Sequence, residues 1–204
     1  MLKKAACLSF AAGVFIGIGG SVFLSCDNKY MGAVLFAVAL LTICYLRLYL
    51  FTGKIGYLAI SHTKADVLDV VITLIGNFVG TLFSGLMVSY AKPALMEKAA
   101  GLCSGKLQLQ PLPTLVLAFF CGILMYTAVA IYREKQSPWG IFFCVPVFIL
   151  SGFEHSIADM FYFFTARMFT ADVFLFLAIV VLGNTIGGMF IPAIRLISGD
   201  LKHE

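Results

Sequence analysis

Hydrophobic residues along the chain form six long blocks that are separated by short polar stretches. The blocks cover residues 5–25, 32–60, 67–90, 113–132, 139–165 and 173–197. Each block can supply the roughly 20 residues that a helix needs to cross the hydrocarbon core of a bilayer. The pattern therefore predicts an all-α membrane protein with six transmembrane helices.

The composition agrees with this class of protein. Of 204 residues, 61% are hydrophobic and only 12% are charged, about half the charged fraction of an ordinary soluble domain. The net charge of +4 is small and scattered, so no nucleic-acid partner is expected. None of the six cysteines forms a C-x-x-C pair, which argues against a disulfide framework and a metal cluster. No metal or other cofactor is expected.

The basic residues predict the orientation of the chain. Six spans place both termini on one side, and that side collects Lys3, Lys4, Lys64, Arg133, Lys135, Arg195 and Lys202. The opposite side has Lys29, Lys92, Lys98, Lys106 and Arg167. Because basic residues concentrate in cytoplasmic loops, we expect both termini in the cytoplasm. The expected location is the cytoplasmic (inner) membrane of a prokaryote.

The N-terminal block has an alternative interpretation. Lys3 and Lys4, an apolar stretch and the sequence VFLSC are also typical of a lipoprotein signal peptide that would end at Cys26. Phe23 fits the cleavage box of such a peptide poorly. The glycine-rich sequence GVFIGIGG instead favours a permanent helix that packs closely on its neighbours.

The longest polar stretch, residues 91–112, divides a single transmembrane domain into two halves of three spans, residues 5–90 and 113–197. The halves share a faint repeat, because the third span contains GNFVGTLF and the sixth contains GNTIGGMF. Three spans per half insert the halves with opposite orientations. The sequence therefore predicts an inverted repeat.

Matching spans of the two halves are interrupted, the second at LFTGKIG and the fifth at SGFEH. Paired interruptions of this kind indicate a binding site near the middle of the membrane. Glu154, His155 and Asp159 lie in the fifth block, where each polar group costs roughly 2 to 3 kcal/mol to insert. A half-helix that begins near His155 would direct free N–H groups at the site and favour an anion. Thr52 of the other broken helix could supply a hydrogen bond from across the cavity.

The sequences LFTGK, GNFVG, SGFEHSIADMF and GNTIGG together resemble the formate/nitrite transporter family. The resemblance covers all six spans in the right order and spacing. It implies an aquaporin-like fold, with helices 2 and 5 broken, that assembles as a homopentamer with one pore in each protomer. It also implies transport of small monovalent anions.

The resemblance also implies roles for individual residues. Thr52, His155 and Asn184 correspond to polar residues of the substrate pore. The constriction positions of the family fall on Phe36, Leu40, Leu50 and Phe148. Lys106 lies about where the family has a lysine in the external vestibule, and Glu154 and Asp159 accompany His155.

The chain departs from the family at three places. Tyr126 stands where the family often has an asparagine in the fourth span, and Asp159 replaces the asparagine of the FEHSIAN motif. If Asp159 touches His155, its carboxylate would favour the protonated form of the ring. The first span begins at the second or third residue, so the N-terminal cytoplasmic helix of many members is expected to be absent. Arg47 could pair with Asp159 or Glu154, or face a subunit boundary.

Two classes of function follow. We expect channel-like, proton-linked passage of a small weak-acid anion of the formate, nitrite or hydrosulfide class across the membrane. The partners would then be the anion, protons and the lipid bilayer. The alternative is an intramembrane enzyme that uses Glu154 and His155. The other histidines, His62 and His203, lie at a span end and in the tail, so the usual three metal ligands do not converge.

Overall fold

The computed structural model describes residues 2–201, and all regular structure among them is helical. The helices are α1 (Leu2–Ser25), α2 (Lys29–Tyr45), α3 (Phe51–Lys54), α4 (Lys64–Ala91), α5 (Pro93–Lys106), α6 (Pro111–Lys135), α7 (Trp139–Leu150), α8 (Ser156–Thr165) and α9 (Ala171–Ile197). A 3₁₀ segment, Ile55–Ala59, continues α3. Lys202 and His203, which the sequence analysis used, lie outside the described residues.

Four of these helices, α1, α4, α6 and α9, are long and apolar enough to cross a membrane, with 24 to 28 residues each. Their ends lie within three residues of the ends of the predicted blocks. The two remaining blocks each form a shorter apolar helix, α2 or α7, followed by a break and a second short helix. Both predicted blocks are therefore interrupted. The second break coincides with the predicted SGFEH, whereas the first lies at residues 46–50, just before the FTGK sequence, which is helical.

Helix α5 is an element that the hydrophobic pattern did not indicate. It occupies most of the polar stretch between the two halves and begins with Pro93. Proline is well tolerated there, because the N–H of the first helical residue has no partner within the helix. The helix ends at Lys106, whose side chain it directs towards the second break.

Glycines allow α1 to pack against α4 and α6 to pack against α9. A Cβ atom on Gly13 of α1 would lie 2.5 Å from the carbonyl oxygen of Asn77, and one on Gly122 of α6 would lie 2.5 Å from that of Asn184. Only a residue without a side chain permits such approach. The close packing makes α1 part of the helix bundle.

The first break, between α2 and α3, is a hydrogen-bonded turn. The N–H of Leu48 donates to the carbonyl of Ile43 at 2.9 Å, which caps the end of α2. Arg47 adopts a left-handed backbone conformation with φ of 53°. This conformation costs roughly 1 kcal/mol for a residue other than glycine. The turn redirects the chain so that α3 can begin inside the helix bundle.

The second break, between α7 and α8, forms the same turn with equivalent backbone hydrogen bonds. The N–H of Phe153 donates to the carbonyl of Phe148 at 2.9 Å. Gly152 has the left-handed conformation, with φ of 70°, and it occupies the place that Arg47 occupies in the first break. The two halves of the chain thus have the same hydrogen-bonded turn as well as the same sequence motif.

Candidate functional site

Asn77 of α4 holds the start of α3. Its Oδ1 atom accepts the N–H of Phe51 at 2.8 Å. Its Nδ2 group donates to the carbonyls of Ser9 at 2.7 Å and Tyr49 at 2.8 Å. One buried amide therefore joins α1, α4 and the first break, and satisfies backbone groups that the break removes from helical pairing.

Asn184 of α9 holds the start of α8 in the same way. Its Oδ1 atom accepts the N–H of Ser156 at 2.8 Å. Its Nδ2 group donates to the carbonyls of Ala118 at 2.8 Å and Glu154 at 2.9 Å. Both of its N–H groups thus serve the backbone, so the structure gives Asn184 a positioning role. Asn77 is its counterpart; the repeated G-N-x-x-G motif pointed to it, but the sequence analysis did not select it.

The starts of the two short helices meet at Thr52 and His155. Thr52 is the second residue of α3, and its Oγ1 atom lies 3.0 Å from Nε2 of His155. Both side chains are buried. Residues that are 103 positions apart in sequence thus form a polar contact within the apolar interior.

The second nitrogen of His155 caps α8. Nδ1 accepts the N–H of Ala158 at 3.1 Å, and a ring nitrogen that accepts a hydrogen bond carries no hydrogen. The neutral ring therefore has its hydrogen on Nε2 and donates it to Thr52 Oγ1, which leaves the hydroxyl hydrogen of Thr52 free to donate elsewhere. A doubly protonated ring could not accept the Ala158 bond.

The first turn of α8 differs from the expectation that its free N–H groups face the site. The N–H of Ser156 donates to Asn184, and the N–H of Ala158 donates to His155. Two of the orphan donors at this helix start are therefore satisfied by side chains. The polar groups that meet at the site are therefore the side chains of Thr52 and His155.

Aromatic rings cover one side of this contact. The ring of Phe148 stacks on the imidazole of His155 with 5.4 Å between centroids. Phe36 of α2 meets Phe148 edge-on at 6.0 Å. Both phenylalanines are buried. The structure thus brings two of the predicted constriction residues together beside His155.

The other two predicted constriction residues, Leu40 and Leu50, border a cavity of about 720 Å³. Four basic residues line the cavity: Lys4, Arg47, Lys54 and Arg133. Its lining in the described part of the chain contains no aspartate or glutamate. Lys54 is paired with Asp69 of α4 and lies 3.7 Å from the ring centroid of Tyr49. The cavity therefore has a strongly positive wall next to Leu40 and Leu50.

A buried ion cluster lies next to the second break. Lys106 of α5 pairs with Glu154, and its Nζ atom is also 2.9 Å from Oδ1 of Asp159. The side chains of the two acids are 4% and 2% exposed, so these charges are well removed from water. From the sequence, Lys106 is expected only in the external vestibule, and its pairing with Glu154 and Asp159 cannot be predicted.

This cluster corrects the expectation for Arg47. Glu154 and Asp159 pair with Lys106, whereas Arg47 is exposed in the turn that ends α2 and lines the basic cavity. Two of the three alternatives for Arg47, pairing with Glu154 or with Asp159, are therefore not what the structure shows, because the first break turns its side chain towards the cavity. A position at a subunit boundary stays a prediction.

Tyr126 does not join Thr52 and His155. Its ring lies 5.5 Å from that of Tyr57, at the end of the bundle where Arg195 of α9 pairs with Glu134 and Asp200. Within residues 2–201, no three His, Cys, Asp or Glu side chains are grouped so that they could hold a metal ion.

Comparison with known proteins identifies the family. A family profile described as Formate/nitrite transporter matches residues 1–197. The chain belongs to the formate/nitrite transporter family. This confirms the resemblance inferred from the motifs of the second, third, fifth and sixth spans.

Curated relatives in the formate/nitrite transporter family are between a quarter and a third identical to the chain over the aligned residues. The nitrite transporter NirC of Salmonella typhimurium is 30% identical over 174 residues, which cover 74% of this chain and 64% of NirC. The formate-nitrite transporter of Plasmodium ovale is 27% identical over 228 residues, covering 91% of this chain and 73% of that protein. The chain therefore spans somewhat less than two thirds of NirC.

Solved structures of the family have the same fold. A chain described as an FNT family ion channel superposes with a TM-score of 0.83 at 20% identity, covering 97% of this chain and 89% of that chain. A pentameric formate channel with formate bound gives a TM-score of 0.80 at 22% identity, with 98% of each chain covered. The protein is thus an all-helical, multi-pass membrane protein with the fold of this channel family.

Proposed function

We propose that the protein conducts small monovalent weak-acid anions, of the formate, nitrite or hydrosulfide class, across the cytoplasmic membrane. In this proposal the two halves are inverted repeats of three spans, with both termini in the cytoplasm. Each protomer of a homopentamer contains its own pore, as the fold of the pentameric formate channel suggests. Membership of a transporter family does not favour the enzyme alternative.

The observation that carries the proposal is the contact between Thr52 and His155. Two short helices begin in the interior and present one hydroxyl and one imidazole to each other at 3.0 Å. Polar groups at this depth are expensive unless they are paired or serve a pathway. Phe148 stacks on His155 and meets Phe36 edge-on. In this proposal the pair lies between these rings and Leu40 and Leu50, which border the basic cavity.

The basic cavity provides the first step of the mechanism. Arg47, Arg133 and Lys4 are cations on its wall, and a concave positive surface raises the local concentration of anions. An anion that leaves the cavity must then pass Leu40 and Leu50, where the loss of its hydration shell is costly. In this proposal the basic wall favours anions over cations, and the leucines exclude ions that remain hydrated.

Thr52 and His155 provide the second step. The hydrogen on Nε2 of His155 is committed to Thr52, so the threonine hydroxyl can donate its own hydrogen to the anion. Donation to a charged group is worth roughly 1.5 to 3 kcal/mol, which offsets part of the lost hydration. An anion that gains a proton crosses the phenylalanine ring as a neutral acid, and passage is then proton-linked.

His155 acts here as a hydrogen-bond donor and not as the source of that proton. Protonating its second nitrogen would break the bond from Ala158 that caps α8. The proton must therefore come from water or from another acid close to the pore.

Transport measurements test the proposal. Proteoliposomes that contain the protein should take up formate, nitrite and hydrosulfide faster than empty liposomes, and acetate and lactate more slowly than formate. The pentamer should appear in native mass spectrometry in a mild detergent. Equal uptake by protein-containing and empty vesicles for all five anions would contradict the proposal.

A further inference from the structure

The cluster of Lys106, Glu154 and Asp159 has one positive and two negative side chains. Lys106 comes from α5, Glu154 from the second break and Asp159 from the first turn of α8. Nζ of Lys106 contacts both acids, at 2.9 Å in the case of Asp159. Asp159 is 1% exposed and Glu154 is 3% exposed, so bulk water does not solvate either carboxyl group.

The charges of the cluster do not balance. If all three groups were ionised, one negative charge would remain in the apolar interior, and an uncompensated buried charge costs several kcal/mol. Two carboxylates that share one site avoid this cost by holding a proton between them. The ammonium group of Lys106 can balance only one of them.

The geometry around Asp159 provides the second observation. Its Oδ2 atom is buried and has no hydrogen-bond partner among the described residues. The carboxyl groups of Asp159 and Glu154 both contact the same ammonium group, that of Lys106, so they are close neighbours. A proton would therefore satisfy an atom that is otherwise buried without a partner.

The other groups that act on this site do not supply the missing positive charge. They are the thiols of Cys103 and Cys121, the hydroxyl of Tyr162 and the imidazole of His155. His155 is four residues before Asp159, and its Nδ1 atom is occupied by the N–H of Ala158. Lys106 is thus the one cation acting directly on the two acids in the part of the chain that the structure describes.

We propose that Glu154, Asp159 and Lys106 form a site that binds one exchangeable proton and supplies it to the transported anion. The site deepens the proposed function and rests on it. A carboxyl group of the pair gives its proton to the anion, which leaves as the neutral acid, and the pair becomes fully ionised. A proton from water then restores the carboxyl group. An asparagine at position 159, as in the family motif, would leave only one acid and no such site.

The proton can be observed directly by infrared difference spectroscopy of the purified protein in an ester-free detergent. At neutral pH the unmodified protein should show the C=O band of a protonated carboxyl group. Asp159→Asn should remove this band, because the remaining glutamate forms a balanced pair with Lys106. Glu154→Gln is the matched control, since it leaves the aspartate in the same balanced pair and should also remove the band. Absence of the band from the unmodified protein, or its persistence in either variant, would overturn the proton site.

Transport of the same variants tests the role of the proton. The unmodified protein should move about one proton with each formate, measured with a pH-sensitive dye inside the vesicles. Asp159→Asn should lower this ratio while formate still crosses. An unchanged ratio would overturn the coupling. Failure of the unmodified protein to carry any of the anions would instead refute the proposed function, and the infrared band would still decide whether the proton site exists.

Discussion

The hydroxyl of Thr52 and Nε2 of His155, 3.0 Å apart, join the two halves of the chain at the point where each half interrupts a helix. Neither residue could reach this place on a continuous helix. The two breaks are held by the same turn and by equivalent asparagines. The polar contact is therefore a product of the internal repeat.

The first prediction concerns the hydroxyl of Thr52. Thr52→Val has nearly the same shape but cannot donate to an anion, so formate uptake should fall by roughly 10- to 100-fold, as the loss of 1 to 3 kcal/mol implies. Thr52→Ser keeps the hydroxyl and should retain most of the activity. Uptake by proteoliposomes measures both variants. Equal activity of the valine and serine variants would mean that Thr52 only packs against His155.

The second prediction separates the two roles of His155. Asparagine is a good N-cap residue, so His155→Asn should keep α8 stable. It should reduce anion uptake by at least about tenfold, because Thr52 loses the donor that directs its hydroxyl hydrogen towards the anion. His155→Ala loses the cap as well and should be less stable by about 0.5 to 2 kcal/mol. Uptake and thermal unfolding in detergent distinguish these outcomes. An asparagine variant with the uptake of the parent would limit His155 to capping.

The third prediction concerns Asn77 and Asn184. Replacing either residue with leucine leaves two backbone groups of the adjoining break without partners, and each costs roughly 1 to 3 kcal/mol. Because the two amides make equivalent bonds, Asn77→Leu and Asn184→Leu should lower the unfolding temperature by similar amounts. If Asn184→Leu instead abolished transport in a normally stable protein, Asn184 would be a substrate contact, as the sequence analysis expected.

Much of this architecture could be predicted from the sequence because apolar length and glycine motifs are local signals. The six blocks, the two interruptions and the residues Thr52 and His155 are all visible in short stretches. Helix α5 could not be predicted from them. Its polar composition and its two glycines, Gly101 and Gly105, resemble a loop, and its helical state depends on contacts with α8 and α4.

The partners of the charged residues could not be predicted from the sequence for a different reason. Lys106 is 48 residues from Glu154, and only the folded backbone of α5 and the second break shows that they meet. Arg47 illustrates the same limit. The direction of its side chain is set by a left-handed turn, and an arginine in the sequence does not predict such a turn. Local patterns identify where polar residues are placed in a membrane protein, but the pairing of charges depends on tertiary structure.

The last prediction concerns Phe148, which contacts both Phe36 and His155. If these rings form a constriction that excludes by size and dewetting, Phe148→Ala should widen it and increase the leak of acetate and lactate. Phe163→Ala is a matched control, because Phe163 is equally buried but packs against Phe176. Truncating a packed phenylalanine costs about 3 to 5 kcal/mol, so the control should lose stability without gaining leak. A Phe148 variant that behaves like the Phe163 variant would show that Phe148 is part of the packed core and that the constriction lies elsewhere.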